Sequence, residues 1–167
     1  MRVITAPREY KVQDTDVSVF LAGGITGCSE WQSNLIESLA NMGDELVLLN
    51  PRRPDFPMGD PDAGKLQIAW EFRHLLVSDA VSFWFAADQV QPIVLFELGT
   101  QVKDSDTPIF VGASPGYPRR FDVVEQVEHY SSFFRKKSIQ VRANLMALTF
   151  DIQEFYYQTL EGRVRGR

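Results

Sequence analysis

The chain has 167 residues, a formal net charge of -5 and one cysteine, Cys28. This length suits a substantial core, so we expect a single domain over residues 1–167. The acidic balance argues against a nucleic-acid polymer as the main partner, because phosphate binding needs clustered Lys and Arg. One cysteine and two histidines provide neither a disulfide nor a metal-ligand pattern, so no metal site is expected.

Nothing in the sequence predicts a membrane segment. No charged region followed by an apolar run opens the chain, and no apolar run approaches the length of a membrane span. We therefore expect a soluble, cytoplasmic protein. Two basic clusters, residues 135–137 and 163–167, are interpreted as a solvated turn and a frayed tail.

The first predicted elements are a strand and a helix joined by a glycine turn. An apolar run over residues 17–22 predicts the strand, which ends at Gly23 and Gly24. Ser29 opens a sequence that matches a capping box, and apolar residues then recur at helical spacing until Gly43. The sequence therefore predicts a helix capped by Ser29 and ended by Gly43.

Strand and helix patterns continue to alternate along the chain. Residues 45–49 read as a strand, and the four prolines of residues 50–64 predict a loop without regular structure. The remaining predictions are helix 65–78, strand 80–85, helix 93–102, strand 108–111 and helix 121–130. The sequence from Ser131 onward gives no clear assignment.

Repeated strand and helix units imply a mostly parallel sheet, because parallel strands require crossover connections. We therefore predict the α/β class, with a doubly wound, flavodoxin- or Rossmann-like sheet and helices on both faces. In such sheets, ligands bind beyond the carboxyl ends of the strands, where the following loops meet.

The glycine turn after the first strand is one candidate ligand contact. Gly23, Gly24 and Ile25 could approach a ligand closely and present main-chain N–H groups. The turn lacks the dinucleotide-binding fingerprint and the Gly-Lys-Ser/Thr ending of a P-loop. A tight structural turn is the alternative interpretation.

Glu97 is the most informative single residue, because apolar residues almost entirely surround it in the sequence. A carboxylate in such surroundings must find a polar partner, sit in a cleft or shift its pKa. Glu97 is therefore a candidate for a chemical role. The alternative is a partly exposed helix residue whose neighbours happen to be apolar.

Glu71 is a second candidate carboxylate, with the alternative of an exposed helix acid paired with Arg73 or Lys65. Asp79 lies at a helix-to-strand junction and is interpreted as structural. His74, one helical turn from Glu71, is interpreted as its neighbour rather than as a base. The three tryptophans are expected to pack in the core.

Together these residues resemble the nucleoside 2-deoxyribosyltransferase family over about residues 17–100. In that family a base-binding acid lies eight residues before a junction aspartate, as Glu71 lies before Asp79. The family nucleophile is the glutamate of a Glu-Leu-Gly motif, which falls on Glu97. Asn144, in Asn-Leu-Met, is similar to the family asparagine that reaches into a neighbouring subunit's site to hold the sugar 5′-hydroxyl.

Two positions depart from the family pattern. Phe20 stands where some members have a tyrosine that orients the nucleophile, and Gln91 stands where they have a sugar-binding aspartate. The Gln91 amide can still hydrogen-bond a hydroxyl group, although it carries no charge. Either change could alter sugar preference or rate, and neither removes the nucleophile.

The resemblance implies exchange of the base of a 2′-deoxyribonucleoside for a free purine or pyrimidine base, without a cofactor. It also implies a homo-oligomer with shared active sites. Two alternatives remain open. A hydrolase of deoxynucleoside 5′-monophosphates would need a phosphate cradle, for which Ser114 and the turn at Gly23 and Gly24 are the candidates, with Arg119 and Arg120 further off. A non-catalytic nucleotide sensor could use the same architecture.

Overall fold

The computed structural model describes residues 1–104, 106–134 and 138–165. In chain order, its elements are β1 (Arg2–Thr5), β2 (Val17–Gly23), α1 (Trp31–Ser38), β3 (Leu46–Asn50), α2 (Pro61–Val77), β4 (Ala80–Phe85), α3 (Pro92–Asp104), β5 (Ile109–Ala113), α4 (Arg120–Phe134), β6 (Val141–Arg142) and α5 (Leu145–Arg165). None of the helices in these ranges is long and apolar enough to cross a membrane.

The strands form one sheet in the order β1-β3-β2-β4-β5-β6, and every neighbouring pair is parallel. The sheet is buried on both faces, as expected for parallel strands. In β4, for example, Val81 and Phe83 belong to one core cluster, whereas Ala80 and Trp84 belong to the other. Side chains that alternate along a strand thus supply both cores.

The helices divide between the two faces of the sheet. Residues of α2, α3 and α4 pack in the cluster that contains Phe83, and residues of α1 and α5 pack in the cluster that contains Trp84. The predicted α/β, doubly wound, flavodoxin- or Rossmann-like fold is therefore confirmed. The carboxyl ends of all six strands in the described ranges lie along one edge of the sheet.

The first helix differs from its prediction at both ends. Ser29 does not cap it, because its hydroxyl group donates to Asp88 Oδ2 at 3.0 Å and α1 begins only at Trp31. The helix ends at Ser38, not at Gly43. Leu39 and Met42 lie in the irregular segment after the helix and are nevertheless buried. The apolar pattern in the sequence therefore extends beyond the end of the helix.

The loop predicted over residues 50–64 is shorter than expected, because α2 already begins at Pro61. Proline is compatible with the first helical position, where its missing N–H costs no hydrogen bond. The Asp60 side chain caps this helix by accepting from the Asp62 N–H at 2.9 Å. The prediction that this whole segment is irregular is therefore wrong for residues 61–64.

The two ends of the chain also differ from the predictions. β1 was not predicted, and β6 and α5 occupy the C-terminal stretch that had no assignment. Residues 163–165 are not a frayed tail, because they belong to α5 and the Arg163 guanidinium donates to the carbonyl oxygens of Thr15 and Asp16, both at 2.9 Å. Residues 135–137 and 166–167 lie outside the described residues.

Candidate active site

The candidate site is a crevice at the carboxyl edge of the sheet, between the ends of β2 and β4. These strands are neighbours, yet β2 leads to α1 on one face and β4 leads to α3 on the other. The loops therefore diverge and leave an opening, as expected where a doubly wound sheet changes direction. The opening holds a cavity of about 270 Å³. Six predicted site residues line it: Gly23, Gly24, Ile25, Glu71, Gln91 and Glu97.

Glu97 lies in the second turn of α3 and contributes a half-buried carboxyl group to the cavity. Among the described residues, this carboxyl group has no hydrogen-bond donor. Burial raises the pKa of Glu97 to about 7, and the negative charge of Glu71 adds to this rise. Both effects disfavour the ionised form, so Glu97 exchanges its proton near neutral pH.

Glu71 reaches the same cavity from α2. Gln67, one helical turn earlier, donates through Nε2 to Glu71 Oε1 at 2.8 Å and to the Pro51 carbonyl oxygen at 2.8 Å. Burial raises the pKa of Glu71, and the Gln67 hydrogen bond opposes that rise. The two carboxyl groups thus form an interacting pair, and the charge of one affects the other.

The alternative interpretation of Glu71 as an exposed acid paired with a cation is wrong. Arg73 binds Glu9 at 2.6 Å, and Lys65 binds Asp62 at 3.1 Å. Asp79 is structural, as predicted, because its Oδ2 accepts from both the main chain and the hydroxyl group of Ser18 at 2.7 Å.

His74 does not face the cavity as a base. Its ring stacks on Trp70, and its Nε2 accepts the Tyr10 N–H at 3.1 Å. Its Nδ1 must therefore carry the proton that is shared with the Trp70 carbonyl oxygen at 2.7 Å. The interpretation of His74 as a structural neighbour is confirmed. Trp31, Trp70 and Trp84 are also buried in the core, as predicted.

The glycine turn forms the other wall of the cavity and is tightly held. The Gly24 N–H donates to Gln91 Oε1 at 2.8 Å, and its carbonyl oxygen accepts from Trp31 Nε1 at 3.0 Å. A Cβ atom at Gly24 would lie 2.7 Å from the Gln91 side chain, so only glycine fits this close approach. The expectation that Gly24 presents its N–H to a ligand is therefore wrong, because Gln91 already accepts it.

Gln91 bridges the two loops that flank the opening. Besides accepting from Gly24, it donates through Nε2 to the Ala86 carbonyl oxygen at 3.3 Å. Aspartate could not reproduce this second bond, because a carboxylate has no N–H. Phe20, the other departure from the family pattern, lines the cavity floor and packs against Trp70 at 6.1 Å between ring centroids.

Asn144 is the predicted site residue that the structure does not bring to the cavity. It is exposed in the turn after β6, two strands away from β4 in the sheet. Its Oδ1 accepts from the Ala147 N–H at 2.8 Å and so caps α5. Contact of Asn144 with the site of a neighbouring subunit remains a prediction.

Two residues that shape the cavity, Gln67 and Arg52, were not among the predicted site residues. The spacing of Gln67 and Glu71 was a readable signal, because side chains four residues apart share a helix face. The bonds of Arg52 to the glycine turn join residues 23 to 28 positions apart, for which the sequence offers no local signal. Within the described ranges, no group of three or more His, Cys, Asp and Glu side chains could hold a metal ion.

The family model described as nucleoside 2-deoxyribosyltransferase like matches residues 16–117, which is more than half of the chain. The chain belongs to this family. The match includes Glu71, Gln91 and Glu97, whereas Asn144 lies beyond it. A comparison with curated protein sequences finds no significant match.

A solved structure of a conserved protein from Enterococcus faecalis V583 resembles this fold with a TM-score of 0.58. The two chains are 14% identical in sequence, and the similarity covers 83% of this chain and 98% of that chain. At this identity the likeness concerns the fold alone.

Proposed function

We propose that the protein is a nucleoside 2-deoxyribosyltransferase that exchanges the base of 2′-deoxyribonucleosides by double displacement. The observation that carries this proposal is the pair of Glu71 and Glu97. The two carboxyl groups come from different helices, meet in one cavity at the switch point of the sheet, and influence each other's ionisation. Glycosidic bonds are commonly broken by such carboxyl pairs, in which one group is ionised and the other protonated.

Glu97 is the proposed nucleophile. Its carboxylate oxygen forms a bond to C1′, while the bond from C1′ to the base nitrogen breaks and its electron pair leaves with the base. A negative carboxylate also stabilises the positive charge that develops on the sugar ring. An incoming base then displaces Glu97 from the face that the first base left, so the configuration at C1′ is retained.

Glu71 is the proposed general acid for the leaving base. Its Oε1 accepts from Gln67, so the proton of the neutral acid belongs on Oε2. The departing base takes this proton, and the incoming base returns it in the second displacement. The productive arrangement has an ionised Glu97 beside a protonated Glu71. In the free protein the charge of Glu71 raises the pKa of Glu97, so the proton must pass from Glu97 to Glu71 before the first displacement.

The glycine wall is proposed to position the sugar. Gly23, Gly24 and Ile25 lie at the end of β2 and line the same cavity as the two acids. Gln91 is proposed to contact the sugar as well, through what remains of its hydrogen-bonding capacity after Gly24 and Ala86 are bound. Arg119 and Arg120 bind Asp122 and the Ala113 carbonyl oxygen instead of lining the cavity, so they do not favour a phosphate cradle there.

A homo-oligomer with shared sites is proposed on the exposed apolar side chains near the opening. Ile93 lines the cavity and is 67% exposed, Phe96 adjoins Glu97 and is 72% exposed, and Phe72 adjoins Glu71 and is 62% exposed. A second copy that covers these residues could bring Asn144 to the site. Mass measurement by light scattering should therefore detect an oligomer, and a fully active monomer would contradict the shared site.

Chromatography of a reaction with deoxyinosine and adenine tests the proposed activity. The expected product is deoxyadenosine, formed by the parent protein and not by Glu97→Ala. Free hypoxanthine without deoxyadenosine would indicate hydrolysis instead of transfer. Binding without turnover of any deoxynucleoside or deoxynucleotide donor would contradict an enzymatic role and favour the sensor.

A further inference from the structure

Arg52 lies in the loop after β3, and its guanidinium group forms hydrogen bonds with the main chain of the glycine turn. The side chain is 11% exposed, and it is not part of the cavity lining. The two N–H groups of its Nη2 are shared among three main-chain carbonyl oxygens, those of Gly24 at 3.2 Å, Cys28 at 3.2 Å and Ser29 at 2.8 Å. The turn between these carbonyl groups includes Ile25 and Thr26, which line the cavity.

The guanidinium group is itself fixed in place. Its Nε donates to Oε1 of the fully buried Gln32 at 2.8 Å, and its Nη1 donates to Glu30 Oε1 at 2.6 Å. Asn50 Oδ1 accepts the Arg52 main-chain N–H at 3.0 Å. A planar group with five N–H donors can join so many acceptors at once, which a lysine ammonium cannot do. Arg52 thus connects the glycine turn, the start of α1 and the loop after β3.

We propose that Arg52 is a positioning residue for base exchange, because its hold on the glycine turn sets the separation between that wall and the Glu97 carboxyl group. This inference rests on the proposed function of the cavity. The sugar must lie between the two walls with C1′ within reach of Glu97. A displacement of about 1 Å in such a geometry can cost about 10²-fold in rate.

Two variants of Arg52 and one control test this role. Arg52→Ala should lower kcat/KM by about 10²-fold, and Arg52→Lys should recover part of the loss because its ammonium group can still reach one carbonyl oxygen. Guanidinium ions below denaturing concentration should restore activity to Arg52→Ala. Arg163→Ala is the matched control, since Arg163 also binds two main-chain carbonyl oxygens, at the amino end of β2. It should keep its activity and gain nothing from guanidinium.

Alkylation of Cys28 gives a readout that does not depend on catalysis. Cys28 is the single cysteine and sits inside the turn, so its reaction rate with a thiol reagent reports the conformation of the turn. The rate should rise in Arg52→Ala, return with guanidinium, and stay unchanged in Arg163→Ala. If Arg52→Ala does not fold, kcat/KM and the rate of Cys28 alkylation are compared between Arg52→Lys and the parent protein.

Two results would overturn the role of Arg52. The first is an unchanged kcat/KM in a folded Arg52 variant, and the second is an unchanged rate of Cys28 alkylation. If the parent protein exchanges no base at all, the proposed function fails, and the alkylation rates alone decide whether Arg52 holds the turn.

Discussion

The two walls of the cavity differ in how completely their polar groups are bonded. In the glycine wall, the Gly24 N–H and carbonyl groups are bound by Gln91, Trp31 and Arg52. In the acidic wall, the described residues offer the carboxyl group of Glu71 one donor, Gln67, and that of Glu97 none. One wall is therefore fixed by its own hydrogen bonds, whereas the other keeps oxygen atoms available to a ligand.

This difference separates the tasks of positioning and reaction. A bonded turn holds a substrate at low entropic cost, because it needs no reordering on binding. Under-bonded, half-buried carboxyl groups raise the energy of the folded protein, and they retain the capacity to form bonds in a transition state.

Glu97→Gln should have the largest effect. The amide keeps the size of the side chain and has no anionic oxygen to attack C1′, so base exchange should fall by at least about 10³-fold. Initial rates of deoxyadenosine formation would measure the loss. Recovery of more than a tenth of the parent rate would remove Glu97 from the nucleophile's role.

Glu71→Gln should have the next largest effect, because it removes the proposed proton donor and leaves the nucleophile. Loss of general acid catalysis should lower kcat by about 10²-fold or more. Gln67→Met keeps Glu71 and removes its N–H donor together with the hydrogen bond to the Pro51 carbonyl oxygen, so it should cause a much smaller loss. Equal losses in the two variants would show that the position of the helix matters and not the acid.

The rate of the first displacement should depend on pH through Glu97. The attack needs an ionised Glu97 beside a protonated Glu71, so the pair must hold one proton, and the rate should fall about tenfold for each pH unit above the Glu97 pKa of about 7. Single-turnover release of the base from a deoxynucleoside measures this step. A rate that stays flat up to pH 9 would contradict the need for a proton on this pair.

The free energy of unfolding should depend on pH because the pKa of Glu97 is raised on folding. Because the pKa of Glu97 is raised on folding, the folded state holds the proton more tightly, and stability falls as pH rises from about 4.5 to about 7. Glu97→Gln lacks this loss and should be more stable than the parent by about 2 kcal/mol at pH 8, with little difference at pH 4. Urea unfolding of the parent and of Glu97→Gln at both pH values would measure how the stability difference between them changes with pH.

Much of the fold could be predicted because buried parallel strands and helices leave strong local patterns. Apolar runs predict β2, β3, β4 and β5. The acids Glu71 and Glu97 can be picked out by their residue type. β1 and β6 were not, because strands of four and two residues are defined by their partners in the sheet.

The sequence predicts which residues form the walls of the site, but it does not predict the hydrogen bonds that these residues make. The glycines and acids are marked by residue type, whereas the acceptor for the Gly24 N–H lies 67 residues away in Gln91. Ser29 matched a capping pattern locally, yet it binds Asp88, 59 residues away. Bonds over such separations depend on how β2 and β4 lie together in the folded sheet.

Mass spectrometry of the acid-quenched reaction with a deoxynucleoside tests the central claim most directly. The double displacement predicts one deoxyribosyl group on the peptide that contains Glu97, formed without an acceptor base and lost when the acceptor is added. An unmodified Glu97 peptide during full turnover, or an adduct on another residue, would contradict it.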